Sequence, residues 1–288
     1  MKGKALKHAA LCAAIAAIAT PAAAAEWSDT SIGWRYGETF AEPYNDEDIS
    51  KHILNFTHAS GYKYGTNFLN VDFLFSDSKD SPTTNGVPNR DESAQEVYVL
   101  YRHTLDLGKI TGSSAFAYGP VRGTGVTLGF DFNTKSGDGY ESKKRMWVFG
   151  PTFMLDVPGF LNVSLLMLWE SNAPKGHPDR YHYDPHPMLN LAWGIPFSIG
   201  PVPLSFEGFA NFIAYKGKDE FGGNTKPETN IDMQVMYDLS HAVGGPKNTF
   251  KVGLEYQYWR NKFGNDHTGP AGDGAFAKTP MIRAEYHF

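Results

Sequence analysis

Apolar and polar side chains alternate residue by residue in twelve separate segments of this 288-residue chain. In one of them the apolar positions are Val126, Leu128, Phe130 and Phe132, and the positions between them are Thr127, Gly129, Asp131 and Asn133. Successive side chains of a β-strand point to opposite faces, so this period predicts strands with one apolar face each. The chain is therefore predicted to be all-β.

The last of these segments favours a membrane barrel over a soluble β-sandwich. It spans Lys278–Phe288 and keeps its period up to the final aromatic side chain. In a soluble sheet, the open strand edge and the bare Phe288 ring would both meet water. A closed barrel with its apolar face in lipid removes both problems. This ending also resembles the signal by which outer-membrane barrels are delivered to their assembly machinery, which makes that machinery an expected partner.

The lengths of the connections agree with a transmembrane antiparallel β-barrel of twelve strands. Short connections are expected at Gly61–Gly65 and Ser198–Pro203, and long ones near Glu42–Ser50, Ser76–Ser93, Ser171–Pro187, Gly217–Thr229 and Phe263–Ala277. Short turns on one side and long loops on the other are typical of such barrels. The exception is Asp106–Gly123, which should be a turn but has loop length. It contains either a short helix or an additional strand pair, and the second case would give fourteen strands.

The first 25 residues have the pattern of a secretory signal peptide. Lys2, Lys4 and Lys7 precede an apolar run, and small residues follow it up to Ala25. This run is too short to span a membrane as a helix. We therefore expect cleavage after Ala25, an outer-membrane barrel formed by residues 26–288, and a location in the Gram-negative outer membrane.

Composition and motifs exclude several other functions. The whole chain carries a net charge of −5, and loss of the signal lysines makes it more acidic, which argues against nucleic acid as a partner. The sequence contains no phosphate loop, dinucleotide fingerprint or nucleophile elbow, so no cofactor is expected. Tyrosine and tryptophan cluster near the segment ends, where their rings would lie among lipid headgroups. Outer-membrane lipid is thus an expected partner.

Three stretches resemble a known family. They are residues 53–73 (Ile-Leu-Asn-Phe-Thr-His-Ala-Ser-Gly-Tyr-Lys-Tyr-Gly-Thr-Asn-Phe-Leu-Asn-Val-Asp-Phe), Gly-Phe-Asp-Phe at 129–132 and Glu-Tyr-His-Phe at 285–288. In these stretches the chain looks like the nucleoside-specific channel-forming outer-membrane proteins of the Tsx type and their OmpK-like relatives. The resemblance implies a monomeric twelve-stranded barrel whose narrow pore passes nucleosides. Some members of that family act chiefly as phage receptors.

Polar positions of the predicted strands define candidate lumen residues for binding a permeating solute. Acidic positions outnumber the basic ones, and we expect such a lumen to repel anions. Amides and aromatic faces among them suit the ribose and base of an uncharged nucleoside. The candidates are Asn70, Asp72, Glu96, Tyr98, Arg102, Asp131, Asn133, Glu170, Glu207, Phe209, Asn211, Asp232, Gln234, Glu255, Trp259 and Arg283.

Two other functions remain open. In one, the lumen is plugged by its own side chains and the external loops act as a receptor, for example for phage. In the other, the barrel is an outer-membrane lipase, for which His58 and Ser60 are the best available pair. Among the loops, the histidines and aspartates between Pro174 and Pro187 have the chemistry of metal ligands but lack a rigid frame, so no metal site is expected.

Overall fold

The computed structural model describes residues 25–81, 83–84, 87–89 and 93–288. The predicted signal peptide lies outside these residues, apart from Ala25. Twelve long strands form the fold: β1 (Ala25–Glu42), β2 (Asn45–Tyr62), β3 (Gly65–Ser76), β4 (Gln95–Asp106), β5 (Val121–Ser136), β6 (Arg145–Leu155), β7 (Phe160–Asn172), β8 (His186–Ile199), β9 (Val202–Ile213), β10 (Glu228–Asp238), β11 (Phe250–Arg260) and β12 (Phe276–His287).

The strands form one closed antiparallel barrel in chain order. Each pairs with its neighbours in sequence, and β1 closes the ring by pairing Ser31–Gly37 with Met281–His287 of β12. A two-residue strand, Tyr181–His182, adds to the end of β7. The predicted all-β, twelve-stranded barrel is confirmed. No helix in the described part of the chain is long and apolar enough to cross a membrane.

Two connections differ from the sequence-based expectation. The prediction of a long loop near Glu42–Ser50 is wrong. Strands β1 and β2 are each 18 residues long, and they meet at a turn formed by Pro43 and Tyr44. The alternative of an additional strand pair within residues 106–123, which would give fourteen strands, is also wrong. That segment holds helix α1 (Leu107–Thr111) and a 3₁₀ turn at Ser114–Phe116.

The connections lie at two ends of the barrel, which we call the terminal end and the loop end. The terminal end carries Ala25, Phe288, α1 and the short turns at 63–64, 156–159 and 200–201, together with the segment 239–249. The loop end carries the turn at 43–44 and the longer connections 77–94, 137–144, 173–185, 214–227 and 261–275. The expected short turns at Gly61–Gly65 and Ser198–Pro203 are therefore confirmed.

Contacts of Arg35 show which face of the sheet is the interior. This β1 side chain pairs with Asp72 of β3 and with Glu255 of β11. Each of these strands is separated from β1 by one intervening strand, so the three side chains meet inside the barrel. The alternate positions form the exterior, where Leu254 is 70% and Trp147 56% exposed. Such an apolar exterior fits lipid rather than water.

Part of the interior is apolar. Phe40, Ile49, Ile53 and Met281 form one buried cluster near the loop end. A second cluster lies on the opposite wall and contains Val148, Leu166, Leu168 and Met188. The expectation that inward positions are mostly polar is wrong in these places. Apolar packing narrows the lumen, since side chains fill the interior of a barrel of this size.

Candidate functional site: the barrel lumen

One wall of the lumen carries a ladder of arginines and carboxylates. Arg35 lies 2.5 Å from Asp72 and 3.0 Å from Glu255, and Arg283 lies 2.8 Å from Glu255 and 2.5 Å from Glu285. Glu255 is only 3% exposed and accepts from both arginines. Each charge has an opposite partner, and the two arginines against three carboxylates leave the ladder with one negative charge in excess.

A second group of charges is paired on the neighbouring wall. Arg102 forms an ion pair with Asp131, and the Tyr98 hydroxyl donates to the same carboxylate at 2.6 Å. The Asn133 amide donates to Glu96. The Tyr98 hydroxyl is therefore already used within the protein, and only the face of its ring remains for stacking on a solute.

A belt of uncharged hydroxyls crosses the wall formed by β4 to β7. Thr104, Thr127, Thr152 and Ser164 are linked in that order by hydrogen bonds of 2.7, 2.6 and 2.8 Å. All four side chains are buried. The register pairs Thr104 with Thr127 and Thr152 with Ser164. Thr127 and Thr152 are diagonal neighbours on the same face of the sheet.

Amides and one indole ring continue this belt across β8 to β11. We call the whole row, from Thr104 to Trp259, the uncharged belt. Asn190 lies in register with Ser164, and its side chain donates to Asn211 at 2.7 Å. Asn230 follows on β10 and Trp259 on β11. Among the residues that the structure describes, the buried side-chain oxygen of Asn230 finds no hydrogen-bond partner. It is thus an unpaired buried acceptor beside the Trp259 indole, whose N–H donates to Glu228 at 2.6 Å.

At the loop end, three lysines converge on two carboxylates. Glu42 lies 2.6 Å from Lys51, 3.5 Å from Lys135 and 3.1 Å from Lys262. Asp80 lies 3.4 Å from Lys51 and 3.0 Å from Lys135. We call these five residues the Glu42 cluster. It ties the connections 77–94 and 261–275 to the barrel wall. All five side chains are buried, so the cluster is packed against the wall instead of standing free in water.

A second cluster, centred on Glu170, holds the connection 214–227. Lys216 donates to both oxygens of Glu170, and Lys144 lies 4.0 Å from that carboxylate. Burial alone would lower the pKa of Lys216, but Glu170 and Glu228 outweigh it and hold the pKa above its usual value. Burial together with Lys216 lowers the pKa of Lys144 to about 8, although Glu170 opposes this shift. The Lys144 ammonium also lies over the Phe263 ring, 3.4 Å from its centre.

Glu220 fastens the same connection to its neighbours. Its carboxylate accepts from the Tyr140 hydroxyl, from the Tyr183 hydroxyl at 2.6 Å and from the Asn172 amide at 2.9 Å. These donors come from the connection 137–144, the connection 173–185 and the end of β7. Burial alone would raise the pKa of Glu220, but the tyrosine hydrogen bonds outweigh it and lower the pKa. We call this arrangement the Glu220 latch.

All sixteen candidate lumen residues lie on the inward face, and the structure gathers them into separate groups. Asp72, Glu255 and Arg283 belong to the arginine ladder, while Glu96, Tyr98, Arg102, Asp131 and Asn133 form the second wall. Asn70 accepts from Asn55, and Gln234 donates to Glu207. Asn211 and Trp259 belong to the uncharged belt, Phe209 and Asp232 face each other beside it, and Glu170 lies near the loop end.

The expectation of a mainly acidic lumen needs correction. Five lysines that sequence reasoning missed neutralise carboxylates at the loop end: Lys51, Lys135, Lys144, Lys216 and Lys262. Two of them were detectable, because Lys51 and Lys135 continue the inward alternation of Asn55 and Asp131. The other three lie in connections, where the strand period gives no direction.

The pattern expected of a lipase is not assembled at His58. Its Nδ1 lies 2.8 Å from the Thr30 hydroxyl, and among the described residues no hydrogen bond joins it to Ser60. Within that same part of the chain, no group of three or more His, Cys, Asp or Glu side chains is arranged to hold a metal ion. His186 lies instead beside Glu170, at 3.9 Å.

Comparisons with solved structures return other membrane barrels. The KdgM porin is 9% identical, with a TM-score of 0.43 over 90% of this chain and 99% of that one. The β domain of the Bordetella autotransporter BrkA is 10% identical, with a TM-score of 0.43 over 91% and 98%. OccK5 (OpdH) of Pseudomonas aeruginosa is 10% identical, with a TM-score of 0.28 over 92% and 98%. No model of a known protein family matches the chain, and no curated protein does.

At TM-scores this low, the likeness to these structures carries no argument about this chain. The evidence for its fold is its own strand pairing. That pairing, the apolar exterior and the polar interior define a transmembrane β-barrel. Its lumen has ion-paired walls, one uncharged belt and two clusters of buried ion pairs at the loop end.

Proposed function

We propose that the protein is an outer-membrane channel for passive diffusion of small uncharged polar solutes, with nucleosides as the preferred class. The observation that carries the proposal is the uncharged belt ending at Asn230 and Trp259. A nucleoside offers a flat base for stacking, and hydroxyl and amino groups for hydrogen bonding. The belt supplies the Trp259 indole ring and the unpaired side-chain oxygen of Asn230. Outer-membrane location is supported by the apolar exterior of the closed barrel.

Charge pairing supports an uncharged permeant over an anion or cation. A channel selective for phosphates needs a row of unpaired arginines and lysines, and a cation channel needs unpaired carboxylates. Here Arg35, Arg102 and Arg283 are bound to carboxylates. A charged solute would have to displace these internal partners, whereas an uncharged solute would not.

Conductance of the refolded chain in a planar bilayer tests this proposal. Adenosine and thymidine should block a small ionic current in a concentration-dependent way, and glucose at the same concentration should not. Trp259→Leu should weaken the block by about tenfold, because stacking on an aromatic ring contributes roughly 1–3 kcal/mol per base. Trp169→Leu is the matched control, since that ring lies on the exterior and is 44% exposed. A current that no nucleoside blocks would contradict nucleoside preference.

A receptor barrel with a closed lumen is the second candidate. The Glu42 cluster and the cluster around Glu170 favour it, because both bury charges across the loop end. In that case the connections at this end would bind the partner, for example a phage. Absence of any current, even after the loop-end ion pairs are removed by mutation, would support this candidate. We propose no catalytic role, since His58 is bonded to Thr30.

A further inference from the structure

Two cations and two aromatic rings form one outward row at the loop end of β6. Lys143, Arg145, Trp147 and Phe149 occupy alternate positions, and all four are exposed. The two inner neighbours of this row, Val148 and Gly150, are buried. The row therefore points away from the lumen. Its cations lie towards the loops, and its rings lie further down the exterior.

Aromatic neighbours fix the depth of this row in a membrane. Trp147 pairs with Trp169 of β7 and packs edge-on against Phe132 of β5, with ring centres 5.9 Å apart. Tryptophan rings concentrate at the boundary between headgroups and hydrocarbon. Arg145, one step closer to the loops, is thus placed at the level of the headgroups.

A third cation is held beside the row. The Arg180 guanidinium donates to the Lys143 carbonyl at 2.9 Å and to the Ser171 hydroxyl at 3.3 Å. Ser171 itself pairs with Arg145 across the β6–β7 ladder. Burial and the nearby Arg145 charge both lower the pKa of Arg180. The hydrogen bonds therefore hold the Arg180 guanidinium next to the strand segment that carries Arg145.

In the part of the chain that the structure describes, these cations have no acidic partner, unlike those in the lumen. Among the described residues, no carboxylate oxygen lies within 4.0 Å of the side-chain nitrogens of Lys143, Arg145 or Arg180, whereas Lys144 reaches Glu170. Of the nearby acids, Glu141 pairs with Lys175 at 2.5 Å. Asp179 precedes Arg180 in the chain and forms no ion pair with it.

We propose that Lys143, Arg145 and Arg180 bind a phosphate group of the phosphorylated glycolipid in the outer leaflet. This inference rests on the proposed outer-membrane placement, with the loop end outside. Guanidinium groups bind phosphate through paired hydrogen bonds, and two of them on one surface favour an anion of high charge. A zwitterionic phospholipid would bring its own cation into the patch. The lipid would also cover the rings of Trp147 and Phe149 with its acyl chains.

The test measures binding of lipid A to the refolded chain in phosphatidylcholine nanodiscs by native mass spectrometry. Bisphosphorylated lipid A should stay bound to the wild type, and the double variant Arg145→Gln/Arg180→Gln should bind it at least tenfold more weakly. The variant Arg145→Lys/Arg180→Lys should retain part of the affinity. Arg122→Gln/Lys63→Gln removes equal charge at the terminal end and should change nothing. Heat-modifiable mobility on gels verifies that each variant is folded.

Three results would overturn the assignment. They are equal binding of dephosphorylated lipid A, equal binding by the Arg145→Gln/Arg180→Gln variant, and equally strong, arginine-dependent binding of phosphatidylglycerol or inorganic pyrophosphate. The last would mean a general anion patch. Conductance measured on the same preparations separates the two proposals. Lipid binding without any current would contradict the channel alone, whereas a nucleoside-blocked current without lipid binding would contradict only this inference.

Discussion

The Lys216 ammonium donates hydrogen bonds of 2.9 and 2.7 Å to the two oxygens of Glu170, joining the connection 214–227 to β7 inside the barrel. Both side chains are buried, and Glu170 is 9% exposed. This pair fastens a long connection to the inner wall of the barrel near the loop end. Its strength should therefore control both loop opening and current.

Replacing Lys216 by Gln should open the loop end. The change leaves the Glu170 carboxylate buried with Lys144 at 4.0 Å and His186 at 3.9 Å, a loss of about 3 kcal/mol for a broken buried pair. Backbone amides of residues 214–227 should then exchange hydrogen on the order of 100-fold faster, and the open-channel current should rise. Lys218→Gln, two residues away and exposed, is the matched control. Unchanged exchange in Lys216→Gln would show that the pair does not hold the loop.

Lys144 should make stability depend on pH in the alkaline range. Its pKa in the folded protein is about 8, below the ordinary value of 10.5, so between these values the unfolded chain binds more protons. Stability should therefore rise as pH increases from about 8 to 10.5. Thermal unfolding in detergent at pH 7 and pH 10 measures this rise.

The variant Lys144→Met should abolish that part of the rise and be more stable than the wild type at pH 7. Lys143→Met, whose side chain is exposed, should follow the wild type. Equal pH dependence of Lys144→Met and wild type would contradict the assignment of the effect to this buried ammonium.

Removing Arg35 should destabilise the barrel more than any loop-end change. Arg35→Met leaves Asp72 without its cation and Glu255 with only Arg283, and breaking a buried pair costs about 3–5 kcal/mol. Urea unfolding in lipid vesicles, followed by tryptophan fluorescence, gives the difference in free energy. Lys247→Gln, in an exposed connection at the terminal end, should stay within about 0.5 kcal/mol of the wild type. A similarly small effect of Arg35→Met would mean that the ladder adds no net stability.

The Glu220 latch should open in acid. The pKa of Glu220 is lowered below 4.5 in the folded protein, so its stabilising contribution is present above that value and is lost as pH falls through the folded pKa. Tyr140→Phe/Tyr183→Phe removes two donors and should shift this release to higher pH. Protease cleavage within 214–227, measured from pH 7 to pH 4 with an acid-tolerant protease, follows it. Tyr215→Phe, 60% exposed, should behave as wild type.

The strand period predicted the barrel because lipid and lumen impose opposite chemistry on alternate residues. Val126 and Asp131 could be assigned to opposite faces from the sequence alone, and β5 places them there. The same rule failed for Val148 and Leu168, which are inward and apolar because they pack against each other. It gave no assignment for Lys216 and Lys262, because both lie in connections. A residue outside a strand has no alternation to follow, so the direction of its side chain depends on how the loop folds.

The long-range pairing of β1 with β12 has a consequence for how the barrel folds. Residues 31–37 find their partners at 281–287, so this ladder closes a loop of almost the entire described chain. Contacts between residues so far apart in sequence form slowly, because the chain loses the entropy of closing the loop before the new contacts stabilise it. Until that ladder forms, β1 and β12 both present unpaired edges. The same ladder has to break before the sheet can open, so the lifetime of the folded barrel should be set by the rate of rupture at this one seam.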